Sequence, residues 1–120
     1  MKNKTLVLGA SENPDRYSNK AILNLLSKGK EVVAVGKKAG NVSNVEIHTE
    51  PIKTDDIDTV TLYLNPLHQK PYYDYIISLK PRRIIFNPGA ENEELERLAA
   101  KEGINILEAC TLVMLNTGQY

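Results

Sequence analysis

Five short apolar runs, alternating with segments whose apolar residues recur at helical spacing, constrain this chain more than any other feature. The first, Thr5-Leu6-Val7-Leu8, is stopped by Gly9. Because it is apolar throughout rather than at every second position, it reads as a strand covered on both faces of a parallel sheet. After a polar turn over residues 9–16, Tyr17, Ala21, Ile22, Leu25 and Leu26 share one helical face, and Gly29 stands at the C-terminal cap position. Glu31-Val32-Val33-Ala34-Val35 is a second strand, followed by the basic turn Gly36-Lys37-Lys38-Ala39-Gly40. Residues 41–58 read as a loop region in which only Val45-Glu46-Ile47 has the pattern of a short strand. The β-branched stretch 58–64 is a strand ending at Asn65-Pro66. A helix through Tyr72, Tyr73, Ile76, Ile77 and Leu79 begins between Pro66 and Pro71 and stops before Pro81. Arg83-Ile84-Ile85-Phe86 is the next strand, and residues 92–102 form a helix packed through Leu95, Leu98 and Ala99 and capped by Gly103. Residues 104–107 give a last strand, and 111–115 a short closing helix or turn.

Strands alternating with helices dictate right-handed βαβ crossovers. The expected architecture is α/β: a Rossmann-like doubly wound sheet of about five mainly parallel strands with helices on both faces. The chain's 120 residues suit one domain, 1–120. Its 15 Lys and Arg balance 15 Asp and Glu, so no basic surplus exists to neutralise a run of nucleic-acid phosphates, and no nucleic-acid partner is expected. A single cysteine, Cys110, excludes an internal disulfide. No apolar run approaches the about 20 residues of a membrane span, and the apolar stretch after Met1 is too short for a signal peptide. The chain is therefore expected in the cytoplasm, with no membrane partner.

In doubly wound sheets ligands bind beyond the carboxyl ends of the strands, where the strand order reverses. The residues at those ends are Gly9, Ala10 and Ser11 with Asn13, Pro14 and Arg16; Val35 with Gly36, Lys37 and Lys38; Leu64, Asn65 and Pro66; Asn87, Pro88 and Gly89; and Glu108 to Cys110. Gly9 opens the turn where backbone N–H groups and a helix dipole hold phosphate, although the three-glycine fingerprint is absent. At Gly9 and Gly89 a Cβ would occupy ligand space or strain the turn. Where an NAD-binding domain carries an acid for the ribose hydroxyls, this chain has Lys37 and Lys38. Two ammonium groups there suit a ribose phosphate, which coenzyme A (CoA) carries on the 3′-oxygen and NADP on the 2′-oxygen; otherwise the pair is a solvated basic turn.

Gly9-Ala10-Ser11 with Asn13-Pro14, Leu62-Tyr63-Leu64-Asn65-Pro66, Ile85-Phe86-Asn87-Pro88-Gly89-Ala90-Glu91-Asn92 and Cys110-Thr111-Leu112-Val113-Met114-Leu115 together resemble the small bacterial CoA-binding domain proteins. Those proteins are similar to the nucleotide-binding domain of the succinyl-CoA synthetase α subunit. The resemblance runs nearly end to end. It implies that the first loop, Gly9, Ala10 and Ser11 with Asn13 and Arg16, contacts CoA phosphates. It also implies that Val35 with Lys37 or Lys38 meets the adenosine end. Leu64, Asn65 and Pro66, and Asn87, Pro88 and Gly89, would line the rest of the groove. This chain departs from its relatives at the end of the second strand, where they commonly have an Asn-Pro or Pro-Lys turn.

No catalytic residue is expected. Succinyl-type synthetases use a phosphorylated histidine in a second domain and an ATP-grasp partner, for which 120 residues leave no room. His48 and His68 have no acid or metal-ligand companion at recognisable spacing and read as surface residues, so no metal is expected. Cys110 lacks a sequence-adjacent base and reads as a buried structural thiol. Of the tyrosines, Tyr63 alone lies near a strand's carboxyl end and has a claim on the groove. The leading reading is a stand-alone module that binds CoA or an acyl-CoA without catalysis. The alternatives are an NADP-dependent reductase or an acyl-CoA ligase component, and a purely structural interaction domain; the sequence names no protein partner.

Overall fold

The computed structural model describes residues 3–120. Strand β1 (Lys4–Ala10) leads into helix α1 (Tyr17–Ser27), then strands β2 (Glu31–Gly36), β3 (Gly40–Val42), β4 (Val45–His48) and β5 (Ile57–Leu62). Helix α2 (Pro66–Gln69) passes through a 3₁₀ turn, Lys70–Tyr72, into α3 (Tyr73–Ser78). Strand β6 (Arg83–Phe86), helix α4 (Glu93–Lys101), strand β7 (Asn105–Glu108) and helix α5 (Thr111–Asn116) complete the chain.

All seven strands belong to one sheet, in the order β3-β4-β2-β1-β5-β6-β7, and every neighbouring pair is parallel except β3 with β4. The parallel, doubly wound expectation is met, with seven strands in place of about five. The additional pair is an antiparallel hairpin, Gly40 opposite Ile47 and Val42 opposite Val45, in the expected loop region; its second strand contains the short strand pattern Val45-Glu46-Ile47. Strand β3 is too short for a periodic signal, and the turn, with Ser43 at φ +55°, lacks the Asn-Gly pair that marks tight hairpins. Val42, Val45 and Ile47 nevertheless give it a buried face. Pro71 explains a second difference: the helix expected to begin between Pro66 and Pro71 and to run through Leu79 is divided into α2, the 3₁₀ turn and α3, because Pro71 has no N–H to continue it.

Burial on both faces of the sheet accounts for the continuous apolar runs. Leu6 and Leu8 of β1 face one core with Leu62, Phe86, Ile76 of α3 and Leu95 of α4, while Val7 faces a second core with Ile22 and Leu25 of α1 and Leu115 of α5. The sheet is thus sandwiched, α1 and α5 on one face and α3 and α4 on the other. Strand order reverses at β1: the chain leaves β1 for β2 on one side, and β5 returns on the other.

At that reversal backbones approach closely. The register of β1 on β2 shifts between Leu8 and Ala10, pairing Ala10 with Gly36. A Cβ on Gly36 would coincide with the Ala10 carbonyl oxygen, whereas one on Gly40 would meet only the end of the flexible Glu12 side chain. Neither glycine has a positive φ, so crowding alone separates them. Gly36→Ala is expected to destabilise the fold by about 2–3 kcal/mol, as overpacking against backbone does. Gly40→Ala is expected to cost below about 1 kcal/mol. Denaturant unfolding of both variants checks this, and equal losses would contradict it.

Candidate functional site

A depression of ≈ 170 Å³ opens at the reversal, beyond the carboxyl ends of β1, β2 and β5, lined by Leu8, Gly9, Val35, Gly36, Lys37, Leu64, His68 and Tyr72. Its walls are mostly aliphatic and aromatic, with one ammonium and one imidazole. Of the residues anticipated from the sequence, Gly9, Val35, Lys37 and Leu64 line it.

Gly9 holds φ +100°, and a Cβ there would lie 3.1 Å from the Tyr63 carbonyl carbon and 3.2 Å from the Leu64 nitrogen. The crowding at this glycine therefore comes from the protein's own β5 exit. At Gly89, φ +94°, the Cβ position is open. Ala10 is buried, and Ser11, Asn13 and Arg16 form the β1–α1 loop. Two of their side chains shape that loop: the Ser11 hydroxyl accepts from the Asn13 N–H at 3.1 Å, and Asn13 Oδ1 accepts from the Asp15 N–H at 3.0 Å. The Ser11 carbonyl accepts from Asn19 Nδ2 at 3.0 Å, tying the loop to α1. Arg16 is exposed and precedes α1 with no side-chain cap; its carbonyl accepts from the Asn19 N–H at 3.1 Å and the Lys20 N–H at 3.2 Å, which starts the helix.

Lys37 and Lys38 are both exposed, and among the described residues neither they nor Arg16 form an ion pair. Asn65 caps α2 by accepting from the His68 N–H at 3.1 Å, and Pro66 takes the first helical position. That cap sets His68 and the following turn at the groove. His68 is exposed, as anticipated, yet it lines the depression. The Asn65-Pro66 start signal was the available clue, since it puts the third helical residue at the carboxyl rim.

Asn87 differs in kind from the other anticipated residues. It is buried, its Nδ2 donates to Thr61 Oγ1 at 2.7 Å and to the Leu62 carbonyl at 2.9 Å, and its Oδ1 accepts from the Thr111 N–H at 2.9 Å. Thr61 and Thr111 bond each other at 2.7 Å. The side chain is a knot joining β5, β6 and α5, while the adjoining Pro88 and Gly89 are exposed on the turn after β6, where the Gly89 N–H donates to Glu91 at 2.9 Å. A second knot involves the fully buried Gln69, whose Nε2 donates to the carbonyls of Leu64 at 2.8 Å and Ala90 at 2.7 Å and whose Oε1 accepts from Asn92 at 2.9 Å. It fixes the post-β5 and post-β6 loops to each other.

Tyr63 packs into the α1 side of the core. Its hydroxyl is buried without a hydrogen bond, and burial pushes the phenol up to about 12. Cys110 is half-buried at the start of α5, not fully buried as expected. Among the described residues no group of three or more His, Cys, Asp or Glu is arranged to hold a metal. No helix among them is long and apolar enough to cross a membrane. A larger depression, ≈ 430 Å³, lies where β6 and β7 begin, against Ile77, Lys80, Pro81, Glu102, Gly103 and Ile104, at the wrong end of the strands for the fold's ligand crevice.

The profile of the CoA binding domain family matches residues 3–116. The chain belongs to that family. Among solved structures, this CoA-binding domain chain is similar to an uncharacterized protein at 48% identity and TM-score 0.95, covering 100% of this chain and 99% of that one. A conserved hypothetical protein from Pyrococcus furiosus matches at 26% identity and TM-score 0.79, over 92% of this chain and 97% of that one. The dinucleotide forming acetyl-coenzyme A synthetase 1 of Ca. Korarchaeum cryptofilum shares the fold at 21% identity and TM-score 0.72, over 89% of this chain but 25% of that one. No curated protein matches the chain.

The two buried polar groups at the rim have opposite expected consequences. Asn87→Ala leaves Thr61, the Leu62 carbonyl and the Thr111 N–H short of partners and is expected to destabilise the fold by about 2–4 kcal/mol. Tyr63→Phe removes a hydroxyl that has no partner and is expected to leave stability unchanged or raise it by about 1 kcal/mol. Thermal unfolding of the two variants at neutral pH checks both signs.

Proposed function

We propose that this CoA-binding domain chain, as one domain over residues 1–120, binds CoA or an acyl-CoA as a stand-alone cytoplasmic module and performs no chemistry on it. The observation that carries the reading is the depression at the strand-order reversal, apolar on Leu8, Val35, Leu64 and Tyr72 and basic at Lys37. A slender ligand with apolar and anionic parts suits such a groove. In this reading the β1–α1 loop and the start of α1, with Gly9, Ala10, Ser11, Asn13 and Arg16, receive the diphosphate. Val35 packs against adenosine, and Lys37 or Lys38 pairs with its 3′-phosphate. Leu64, Asn65 and Pro66 line one side of the pantetheine path, and Pro88 and Gly89 the other. Asn87 holds the turn in place, since its amide is already fully bonded within the protein. No nucleophile or acid–base pair is assigned, because neither His68 nor Cys110 has a base, acid or metal-ligand partner at hydrogen-bond distance among the described residues.

The phosphate on the ribose separates this reading from its competitors. Dephospho-CoA is expected to bind roughly 5- to 20-fold more weakly than CoA, the lower part of the range for charge-assisted hydrogen bonds because both lysines are exposed. NAD is expected to bind poorly, and added salt to narrow the gap between CoA and dephospho-CoA. Calorimetric titration with the panel tests this. Equal affinities for CoA and dephospho-CoA would return Lys37 and Lys38 to the role of a solvated turn, tighter binding of NADP than of CoA would favour a reductase, and no binding of any adenine nucleotide would favour an interaction domain.

A further inference from the structure

The β2–β3 turn that carries Lys37 and Lys38 is held at its start by the end of β1 and at its end by the β1–α1 loop. At its start Gly36 lies against the Ala10 backbone with no room for a Cβ. At its end Glu12, from the β1–α1 loop, reaches across 29 positions of sequence, and its Oε2 accepts from the Asn41 N–H at 2.8 Å. Gly40 has no side chain where the Glu12 carboxyl group lies. Because β3 is an edge strand, Glu12 satisfies an N–H that no further strand can take. A carboxylate is an unfavourable neighbour for an anion-binding loop. Its presence in that loop calls for a role other than contacting phosphate.

We propose that Glu12 is a positioning residue, a latch that fixes the Lys37-Lys38 turn relative to the β1–α1 loop and so sets the distance between the two phosphate-binding regions of the groove. The inference rests on the CoA reading above and adds to it the source of selectivity for the ribose phosphate. Without the latch the lysine turn keeps its covalent attachment and its Gly36 contact but loses its outer anchor. The ordering cost then falls on ligand binding, where a preorganised turn would have avoided it.

Electrostatics and latching predict opposite signs. If Glu12 acted only through its charge, removing it would tighten binding of every anionic ligand. If it acts as a latch, Glu12→Ala weakens CoA by about three- to tenfold while changing dephospho-CoA little, so the ratio of the two affinities falls toward one. Glu12→Gln keeps an acceptor oxygen for the Asn41 N–H and is expected to retain the wild-type ratio. Gly40→Ala, whose Cβ displaces the Glu12 carboxyl group, is expected to reproduce the Glu12→Ala ratio with an intact Glu12. Calorimetric titration of wild type and the three variants with CoA and dephospho-CoA reads this, and hydrogen exchange at the Asn41 amide of the unliganded proteins reads the latch without any ligand. Faster exchange in Glu12→Ala and Gly40→Ala but not in Glu12→Gln, together with the fallen ratio, is the expected result. Tighter or unchanged CoA binding in Glu12→Ala with the ratio preserved would overturn the proposal, as would equal Asn41 exchange in all four proteins. Failure of the wild type to bind CoA would instead overturn the reading on which it rests.

Discussion

The site depends on backbones meeting where side chains would otherwise stand between them. Gly9 brings β1 against the Tyr63–Leu64 backbone at the exit of β5, and Gly36 brings β2 against the Ala10 carbonyl. These two contacts lie on either side of the central strand, at the point where the sheet's order reverses. They close the base of the groove and leave its walls to Leu8, Val35, Leu64 and Tyr72. The glycines that a motif search reads as ligand contacts are here, first, packing residues. Gly9 combines both demands, since its φ of +100° is one that L side chains rarely adopt.

Around that base, buried amides set the position of loops that would otherwise be free to move. Asn87 ties β5 and β6 to the start of α5, and Gln69 ties the post-β5 loop to the post-β6 turn and, through Asn92, to the cap of α4. Each is a fully bonded buried polar group, the arrangement in which such groups specify geometry at little net cost. Along one turn the roles divide: Asn87 is buried and holds β5, β6 and α5 together, while Pro88 and Gly89 are exposed.

The architecture was legible because its signals were strong and local. Thr5-Leu6-Val7-Leu8 and Arg83-Ile84-Ile85-Phe86 are short runs, apolar at nearly every position and bounded by turn residues, as strands of a doubly covered parallel sheet are, and Pro81, Gly29 and Gly103 marked helix ends. Of the β3–β4 hairpin only β4 was legible, as the short alternation Val45-Glu46-Ile47; β3 was not, because three residues are too few to show a period. At the site, strand-end positions led to Gly9, Val35, Lys37 and Leu64, which do line the depression. Tyr72, read as helix packing, does pack on the core and also lines the depression. Glu12 was passed over because it acts through a hydrogen bond to Asn41, distant in the chain, that no spacing rule encodes.

Amide chemical-shift mapping of the ¹⁵N-labelled chain titrated with CoA distinguishes the groove at the strand-order reversal from every other surface. If CoA binds in that groove, saturable shifts concentrate in residues 9–16, 36–40, 64–72 and 88–91. Saturable shifts confined to the opposite end of the sheet, around Ile77, Lys80 and Gly103, with the β1–α1 loop unmoved, would contradict binding in the groove.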